Sequence, residues 1–223
     1  MKSDNAKKYM SVAILLLVIF AIAPLARAGS MPYYSNPGVE NPVTYLFTAS
    51  ETGDITAYFA GSDAWNINKI AMVNLTQGGS VNAASFVFTN LKTAGSGDYT
   101  SIGTSVNLGF ANQGDVLLFV MATYNGIDWQ NVYSDPAMNV NFDGGHNHIY
   151  AVPYSANSIP SLTLSGLYIG FEDTPNLISD YNYLDESVIL TNVDVTPVAE
   201  PATMFLFGAG LAGIAGLRIR RKK

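Results

Sequence analysis

The sequence predicts an all-β fold, an antiparallel β-sandwich or jelly roll, flanked by one hydrophobic segment at each end. Between residues 29 and 196, short runs of apolar and β-branched residues alternate with clusters of Gly, Asn, Asp, Ser and Pro. Runs of this length and spacing are typical of strands joined by turns. Helical periodicity is hard to find in the same region and no internal repeat of about 20–50 residues is visible, which argues against a solenoid or a propeller.

The N-terminal segment has the three parts of a secretory signal peptide. The basic pair Lys7-Lys8 precedes an unbroken apolar run from Ser11 to Ala23, and Ala26-Arg27-Ala28 follows with the small residues that signal peptidase accepts. The run is shorter than the ~20 residues that a spanning helix prefers, which favours cleavage over the alternative, a retained anchor. We therefore predict that residues 1–28 are a signal peptide cleaved after Ala28.

The extracellular β domain is predicted over residues 29–196. The run Asp115–Tyr124 is almost wholly apolar, which indicates a central strand buried on both faces. Asn125-Gly126 after it predicts a two-residue hairpin turn, because both residues tolerate positive φ. The predicted strands are Thr44–Thr48, Ile55–Ala60, Ile67–Leu75, Ser85–Thr89, Thr104–Phe110, Asp115–Tyr124, Trp129–Tyr133, His148–Pro153, Ser161–Phe171 and Ser187–Val195.

Charge is distributed unevenly along the chain. The whole chain carries −6, but nine of its eleven basic residues lie in the two end segments. The body, residues 29–197, keeps only Lys69 and Lys92 against fifteen acids, so its charge is 2 − 15 = −13. Such a field repels nucleic acid and attracts cations, and nucleic-acid binding is excluded. The chain has no cysteine, which excludes disulfides, thiolate metal sites and a cysteine nucleophile.

The C-terminal segment has the composition of a short membrane helix with a cytoplasmic basic end. The apolar stretch Ala202–Leu217 would span about 24 Å as a helix, and the basic residues of 218–223 are expected to stay inside. Together with Glu200-Pro201, this segment resembles the PEP-CTERM sorting signal that exosortase recognises. Ala199 stands where that family has proline.

The resemblance implies a specific route for the chain. We expect residues 197–223 to act as a sorting tail that holds an inner-membrane-anchored intermediate before the body reaches the cell surface or the extracellular matrix. Signal peptidase and exosortase are the expected processing partners, and Glu200 and Pro201 the sorting motif. A permanent single-pass anchor is the alternative, and both place the body outside.

An acidic segment, Gly170–Glu186, is the most distinctive feature of the body, because it holds five carboxyl groups within fifteen residues. Like charges at this density repel one another unless they are solvated or bridge a cation, and oxygen ligands without nitrogen or sulfur favour Ca²⁺. The alternative is a solvated acidic loop held by Asx turns. The candidate Ca²⁺ ligands are Glu172, Asp173, Asp180, Asn182, Asp185 and Glu186.

Several segments of the body resemble one family. GFED at Gly170–Asp173 and DYNYLDESVILTNV at Asp180–Val193 resemble the corresponding stretch of a β-sandwich domain of unknown function that is common in PEP-CTERM surface proteins. Ile55–Ala64 and Asn147–Tyr154 resemble other parts of it. Leu184 stands where that family has a polar residue. The family implies secretion and an accessory or matrix role.

Other residues suggest competing functions. His146 and His148 would share one face of a strand, as a two-histidine metal site needs, although a structural hydrogen-bonding role is the alternative. Glu172 is the natural acid for a glycoside hydrolase, but no nucleophile elbow, P-loop or H-E-x-x-H motif occurs. Aromatic residues that would stack on sugar rings if exposed are Trp65, Trp129, Tyr133 and the pair Tyr33-Tyr34.

These observations favour a noncatalytic surface or matrix module, with Ca²⁺ as its candidate ligand and no catalytic residue assigned. A carbohydrate-binding module that acts on extracellular polysaccharide is the first alternative, and a hydrolase of matrix polymers is the second.

Overall fold

The computed structural model describes residues 33–81, 86–90, 100–159 and 161–198. The predicted signal peptide with its cleavage residue Ala28, the sorting residues Glu200 and Pro201, and the predicted C-terminal helix all lie outside these ranges. Within them, no helix combines the length and hydropathy that crossing a bilayer requires.

Eleven strands and two short helical turns are described. The helical turns are a 3-10 helix at Pro136–Met138 and a single α-helical turn, α1, at Val140–Asp143. The strands are β1 (Thr44–Ala49), β2 (Gly53–Gly61), β3 (Ile67–Asn74), β4 (Val87–Asn90), β5 (Ser105–Ala111), β6 (Val116–Tyr124), β7 (Trp129–Tyr133), β8 (Ile149–Tyr154), β9 (Gly166–Phe171), β10 (Glu186–Thr191) and β11 (Val193–Val198).

The strands form two antiparallel sheets that pack face to face. The first sheet has the order β11-β1-β6-β3-β4, and β7 pairs with β6 beyond the end of β1. The second has the order β5-β2-β10-β9-β8. This arrangement confirms the all-β sandwich predicted from the sequence.

The core lies between the sheets and is built from the residues that alternation turns inward. Phe47 of β1 and Phe119 of β6 meet edge to face, with ring centroids 5.3 Å apart. They join Ile55 and Phe59 of β2 and Ile169 of β9 in one cluster. Burial of each such side chain stabilises the fold by about 1.5–3 kcal/mol. The two sheets are therefore held together here by the apolar surface that they bury between them.

Strand β6 is buried on both faces, as its apolar run predicted. Its inward residues join the core, whereas Leu118 and Val120 face outward and pack with Val73 beneath Val81, Phe86 and Tyr133. The predicted two-residue turn after it is wrong in length. Four residues, Asn125 to Asp128, connect β6 and β7, because the side chain of Asn125 accepts hydrogen bonds from the backbone N–H groups of Ile127 and Asp128 and rounds the loop.

The last predicted strand, Ser187–Val195, is two strands in different sheets. The chain leaves β10 at Asn192, which has a left-handed backbone (φ 63°), and enters β11 in the opposite sheet. The Asn192 side chain fixes this crossing, because its Oδ1 accepts hydrogen bonds from Ser50 Oγ and from the backbone N–H of Glu51. Strand β11 continues to Val198, so it includes Pro197 and Val198, the first two residues of the predicted sorting tail.

The segment after β7 folds as helical turns, which the sequence did not predict. Asp135 caps the 3-10 helix by accepting a hydrogen bond from Ala137 N, and Gly144 ends α1 with a left-handed backbone. The segment Asn139–Gly144 therefore forms a helical turn and its two caps.

Gly170 of β9 gives a direct test of how tightly the strand packs. A Cβ at this position would collide with the backbone carbonyl of Tyr183, whereas a Cβ on Gly53 of β2 would lie in ordinary contact, 3.6 Å from Asn192 Nδ2. We expect Gly170→Ala to lower the free energy of unfolding by about 1–3 kcal/mol or more. Gly53→Ala is the matched control and should change it by less than about 1 kcal/mol in urea denaturation. Equal effects of the two substitutions would contradict the packing described.

Candidate functional site

The acidic segment lies in the loop that connects β9 to β10, residues 172–185. Although it is a loop, it is closely packed: Tyr181 and Tyr183 are both buried and both have left-handed backbone, with φ of 45° and 57°. The Tyr183 hydroxyl accepts a hydrogen bond from Asn41 N (2.6 Å) and donates one to Asn147 O (3.2 Å). These contacts hold the loop against the body of the sandwich.

Three carboxyl groups of this loop lie close together on its buried side. They belong to Glu172, Asp173 and Asp185, and we call them the carboxyl cluster. Glu172 is 1% exposed and Asp185 8% exposed. Asp185 Oδ2 accepts a hydrogen bond from the backbone N–H of Asp173 at 2.8 Å, and its carboxyl group lies close to that of Glu172. Glu172 Oε1 accepts from the Thr174 hydroxyl at 2.7 Å, whereas its Oε2 is buried without a hydrogen-bond partner among the described residues.

Asn68 of β3 is a member of this site that the sequence analysis missed. Its side chain is fully buried and donates from Nδ2 to Asp173 Oδ2 at 2.8 Å. Its Oδ1 has no hydrogen-bond partner among the described residues, and neither has the buried hydroxyl of Thr123, which stands opposite Asn68 on β6. The sequence did contain a signal for Asn68, because it is a polar residue at an inward position of an otherwise apolar strand. A buried side-chain amide needs polar neighbours to bond with.

Burial raises the pKa of all three carboxyl groups. For Asp185 the charges of Asp173 and Glu172 add to burial, and its pKa rises to about 9. Burial is also the main cause of the raised pKa values of Glu172 and Asp173. Lys69, the neighbour of Asn68 in sequence, points to the opposite face of the sheet, where its Nζ lies 4.7 Å from the centroid of the Trp129 ring. Lys69 therefore does not offset the negative charge of the cluster.

Of the other three predicted ligands, Asp180 and Asn182 lie in the loop and Glu186 begins β10, directly after Asp185. Asp180 is exposed, and its carboxylate accepts hydrogen bonds from the backbone and the side-chain amide of Asn182. Asn182 Oδ1 in turn accepts from Leu184 N, so both residues shape the loop. Glu186 is fully buried in β10, on the side of the strand that carries Val188 into the core. Within the described ranges, no three His, Asp or Glu side chains stand in the arrangement of a metal site.

The two histidines support the loop from the other side. His148 is fully buried between oxygen acceptors, with Nε2 2.8 Å from Asp143 Oδ2 and Nδ1 3.0 Å from the backbone oxygen of Glu172. Burial opposes ionisation of Asp143, but the hydrogen bond and charge of His148 outweigh it and lower the pKa of Asp143. His146 lies 2.7 Å from Glu40 and 2.8 Å from the Asn176 amide. Both ring nitrogens of each histidine are thus engaged, which is the structural role rather than a two-histidine metal site.

The predicted aromatic residues separate into packed and exposed groups. Tyr34 packs against Tyr150 and Tyr183, whereas Tyr33 is exposed. Trp65 is 88% exposed and Trp129 is 49% exposed. Tyr133, the last residue of β7, lines an open cavity of about 250 Å³.

Comparison with known proteins identifies the C-terminal segment. Residues 197–222 match the model of the PEP-CTERM protein-sorting motif. The match supports sorting by exosortase and an extracellular or cell-surface location for this chain. It begins at Pro197, which is paired with Tyr45 in the ladder between β11 and β1. No curated protein and no solved structure was found to match the chain.

The raised pKa of Asp185 predicts a pH dependence of stability in the absence of divalent cations. In the unfolded chain Asp185 ionises near 3.8, whereas the folded protein keeps the proton up to about 9. Its contribution to stability is therefore complete below pH 3.8 and is lost as the pH rises towards 9. In EGTA, we expect the free energy of unfolding to fall over this window by up to ~1.4 kcal/mol per pH unit.

The Asp185→Asn variant provides the comparison for this measurement. Because it cannot ionise, its free energy of unfolding from urea denaturation should depend less on pH between 5 and 8 than that of the unmodified chain. Identical pH profiles for the two proteins would show that Asp185 is not held in its neutral form.

Proposed function

We propose that the chain is a noncatalytic module that exosortase sorts to the cell surface or the extracellular matrix, and that Ca²⁺ bound at the carboxyl cluster stabilises its fold. The sorting motif at residues 197–222 supports the route. The observation that supports the cation is the carboxyl cluster itself, three buried acids beside an amide oxygen that lacks a partner.

The donor atoms of the cluster suit a hard cation, although its three carboxyl groups do not stand in the arrangement of a metal site, so their side chains would have to turn towards a bound ion. Ca²⁺ takes six to eight oxygen ligands from carboxylates, amide and backbone carbonyls and water. Glu172 Oε2 and Asn68 Oδ1 are buried oxygens without partners among the described residues, and Asp185 and Asp173 supply further carboxylate oxygen. A cation would satisfy these oxygens and offset the mutual repulsion of the three acids, which a single proton does only in part.

Burial of the cluster supports a noncatalytic role for it. A carboxylate that acts as acid or base on a polymer must contact that polymer, but Glu172, the candidate hydrolase acid, is enclosed by the loop and the sandwich. Its hydrogen-bond partner Thr174 and its neighbour His148 hold it in place. We infer that the cluster joins the loop to β3 and receives no substrate.

Maturation of the chain is part of the same proposal. Signal peptidase would remove residues 1–28, and the C-terminal helix would hold the chain in the inner membrane until exosortase acts on the sorting tail. Extracellular polysaccharide is the partner expected in the matrix.

Calcium linkage is tested by thermal and urea denaturation of the full-length chain in a zwitterionic detergent, with added Ca²⁺ or with EGTA. A ligand that binds only the folded state adds about 2.7 kcal/mol of stability at a hundredfold excess over its Kd. Because protons compete for the same carboxylates, we expect the gain to be larger at pH 8 than at pH 5.

Two matched variants locate the effect. Asp185→Asn should abolish the gain from Ca²⁺, whereas Asp180→Asn, which removes an exposed carboxylate of the same loop, should keep it. An unchanged melting temperature with Ca²⁺ at pH 8 would reject the cation site, and loss of the gain in Asp180→Asn would move the site to the outer loop. The sorting motif is unaffected by either result.

A further inference from the structure

A cleft separates the outer edge of β7 from the helical turns that follow it. Its volume is about 250 Å³, below the 300–1,000 Å³ of pockets for drug-sized ligands, and it is partly open to solvent. It lies outside the carboxyl cluster. The lining residues are Gln130, Asn131, Tyr133, Met138, Asn141 and Phe142.

We propose that this cleft, which we call the β7 cleft, binds one ring of a neutral polysaccharide chain, with Trp129 as an adjoining stacking surface. The inference rests on the polysaccharide partner of the proposed function and gives that partner a binding site, whereas it depends on neither the sorting nor the cation binding.

The walls of the cleft are fixed before any ligand arrives. Asn139, between the two helical turns, is fully buried, and its Oδ1 accepts a hydrogen bond from Tyr133 N at 2.8 Å. Its Nδ2 donates to Tyr133 O and to His146 O, both at 3.1 Å. One side chain thus holds the helical turns against β7. A site that is ordered in advance loses less entropy on binding.

The lining combines amides with apolar surface. Amide groups both donate and accept hydrogen bonds, as sugar hydroxyls require of a partner. The amides of Gln130 and Asn141 make no hydrogen bond with other residues in the described ranges. Tyr133, Phe142 and Met138 supply the apolar surface that suits the C–H face of a pyranose ring.

The backbone of β7 adds polar groups to the same cleft. Strand β7 pairs with β6 along one side only, and the side chain of Asn139 covers the backbone of Tyr133 on the other side. In an antiparallel ladder the backbone of Asn131 faces the same uncovered edge as that of Tyr133. Because Asn139 closes this edge after a few residues, it is too short to receive an added peptide strand, which favours a sugar as the occupant.

Trp129 extends the apolar surface next to the cleft. It is half exposed, and its ring lies 5.4 Å from that of Tyr124 and beneath the ammonium group of Lys69. Lys69 is the one Lys or Arg side chain in the described ranges. The cation–π contact orients the indole ring and leaves part of it to solvent.

The charge of the molecule favours a neutral ligand over an acidic one. The described ranges hold fourteen Asp and Glu and one Lys, so their charge is 1 − 14 = −13. A field of this sign repels a polyanionic glycan. No residue that lines the cleft is charged, so neutral hydroxyl groups are the partners that its amides match.

Single-tryptophan variants of the full-length chain provide the test, because the chain has only Trp65 and Trp129. The proteins are kept in a zwitterionic detergent without sugar headgroups. Cellohexaose, mannohexaose and xylohexaose are the neutral probes, and an oligogalacturonate of equal length is the charged one. Titration extends to about 10 mM, which would detect a millimolar Kd.

We expect at least one neutral probe to change the fluorescence of Trp65→Phe, which keeps Trp129, and not that of Trp129→Phe. Gln130→Ala in the Trp65→Phe background should weaken binding by about three- to tenfold through loss of one hydrogen-bonding group. Gln113→Ala, an exposed amide on the turn before β6, is the matched control and should leave it unchanged.

Three results would overturn the inference: no response of Trp129 to any neutral probe, a response to the charged probe alone, or equal weakening by Gln130→Ala and Gln113→Ala. Circular dichroism of each variant confirms that it is folded, so that loss of binding is not loss of structure.

Discussion

The burial of three carboxyl groups at one end of the sandwich constrains much of the surrounding structure. Burying an ionised carboxyl group costs free energy unless a cation pairs with it, and protonation avoids that cost by making the group neutral. The one lysine of the described ranges lies on the opposite face of the sheet. Neighbouring residues accordingly donate hydrogen bonds into the cluster. Asn68 donates to Asp173, the backbone of Asp173 to Asp185, and Thr174 to Glu172.

The same constraint explains why the loop between β9 and β10 is closely packed against the sandwich. Tyr183 crosses over Gly170, where no side chain would fit, and its hydroxyl joins Asn41 to Asn147. His148 holds the backbone of Glu172 and is itself held by Asp143. Water is thereby kept from the acids, which is what raises their pKa values. The GFED and DYNY segments are therefore parts of one packed unit.

The local pattern of the sequence was sufficient for the strands and insufficient for their pairing. Every predicted strand overlaps an observed one, because alternation and turn residues are local signals. The crossing at Asn192 was missed, since a left-handed residue between two β runs leaves the apolar pattern unbroken. The turns at 136–143 were missed because they are one turn long and depend on Asn139, whose partners Tyr133 and His146 are fixed only by folding.

The candidate site was predictable in part for the same reason. Glu172, Asp173 and Asp185 were found by their density in the sequence, but density could not separate them from Asp180, which faces solvent. Asn68 is more than a hundred residues from Asp173 in the chain, and only the pairing of the sheets brings them together. Contacts between distant segments carry no signal in one sequence.

The end of β11 relates the fold to the sorting signal. The strand is paired through Val198, where Thr44 stands opposite, and the motif begins at Pro197, so Pro197 and Val198 belong to both the strand and the motif. Three residues separate Val198 from the predicted helix at Ala202, a reach of about 10 Å when extended. A permanent anchor would therefore hold the sandwich against the bilayer. On the proposed route, cleavage of the tail would remove that constraint and leave the whole surface of the module, including the β7 cleft, free to meet a polymer in the matrix.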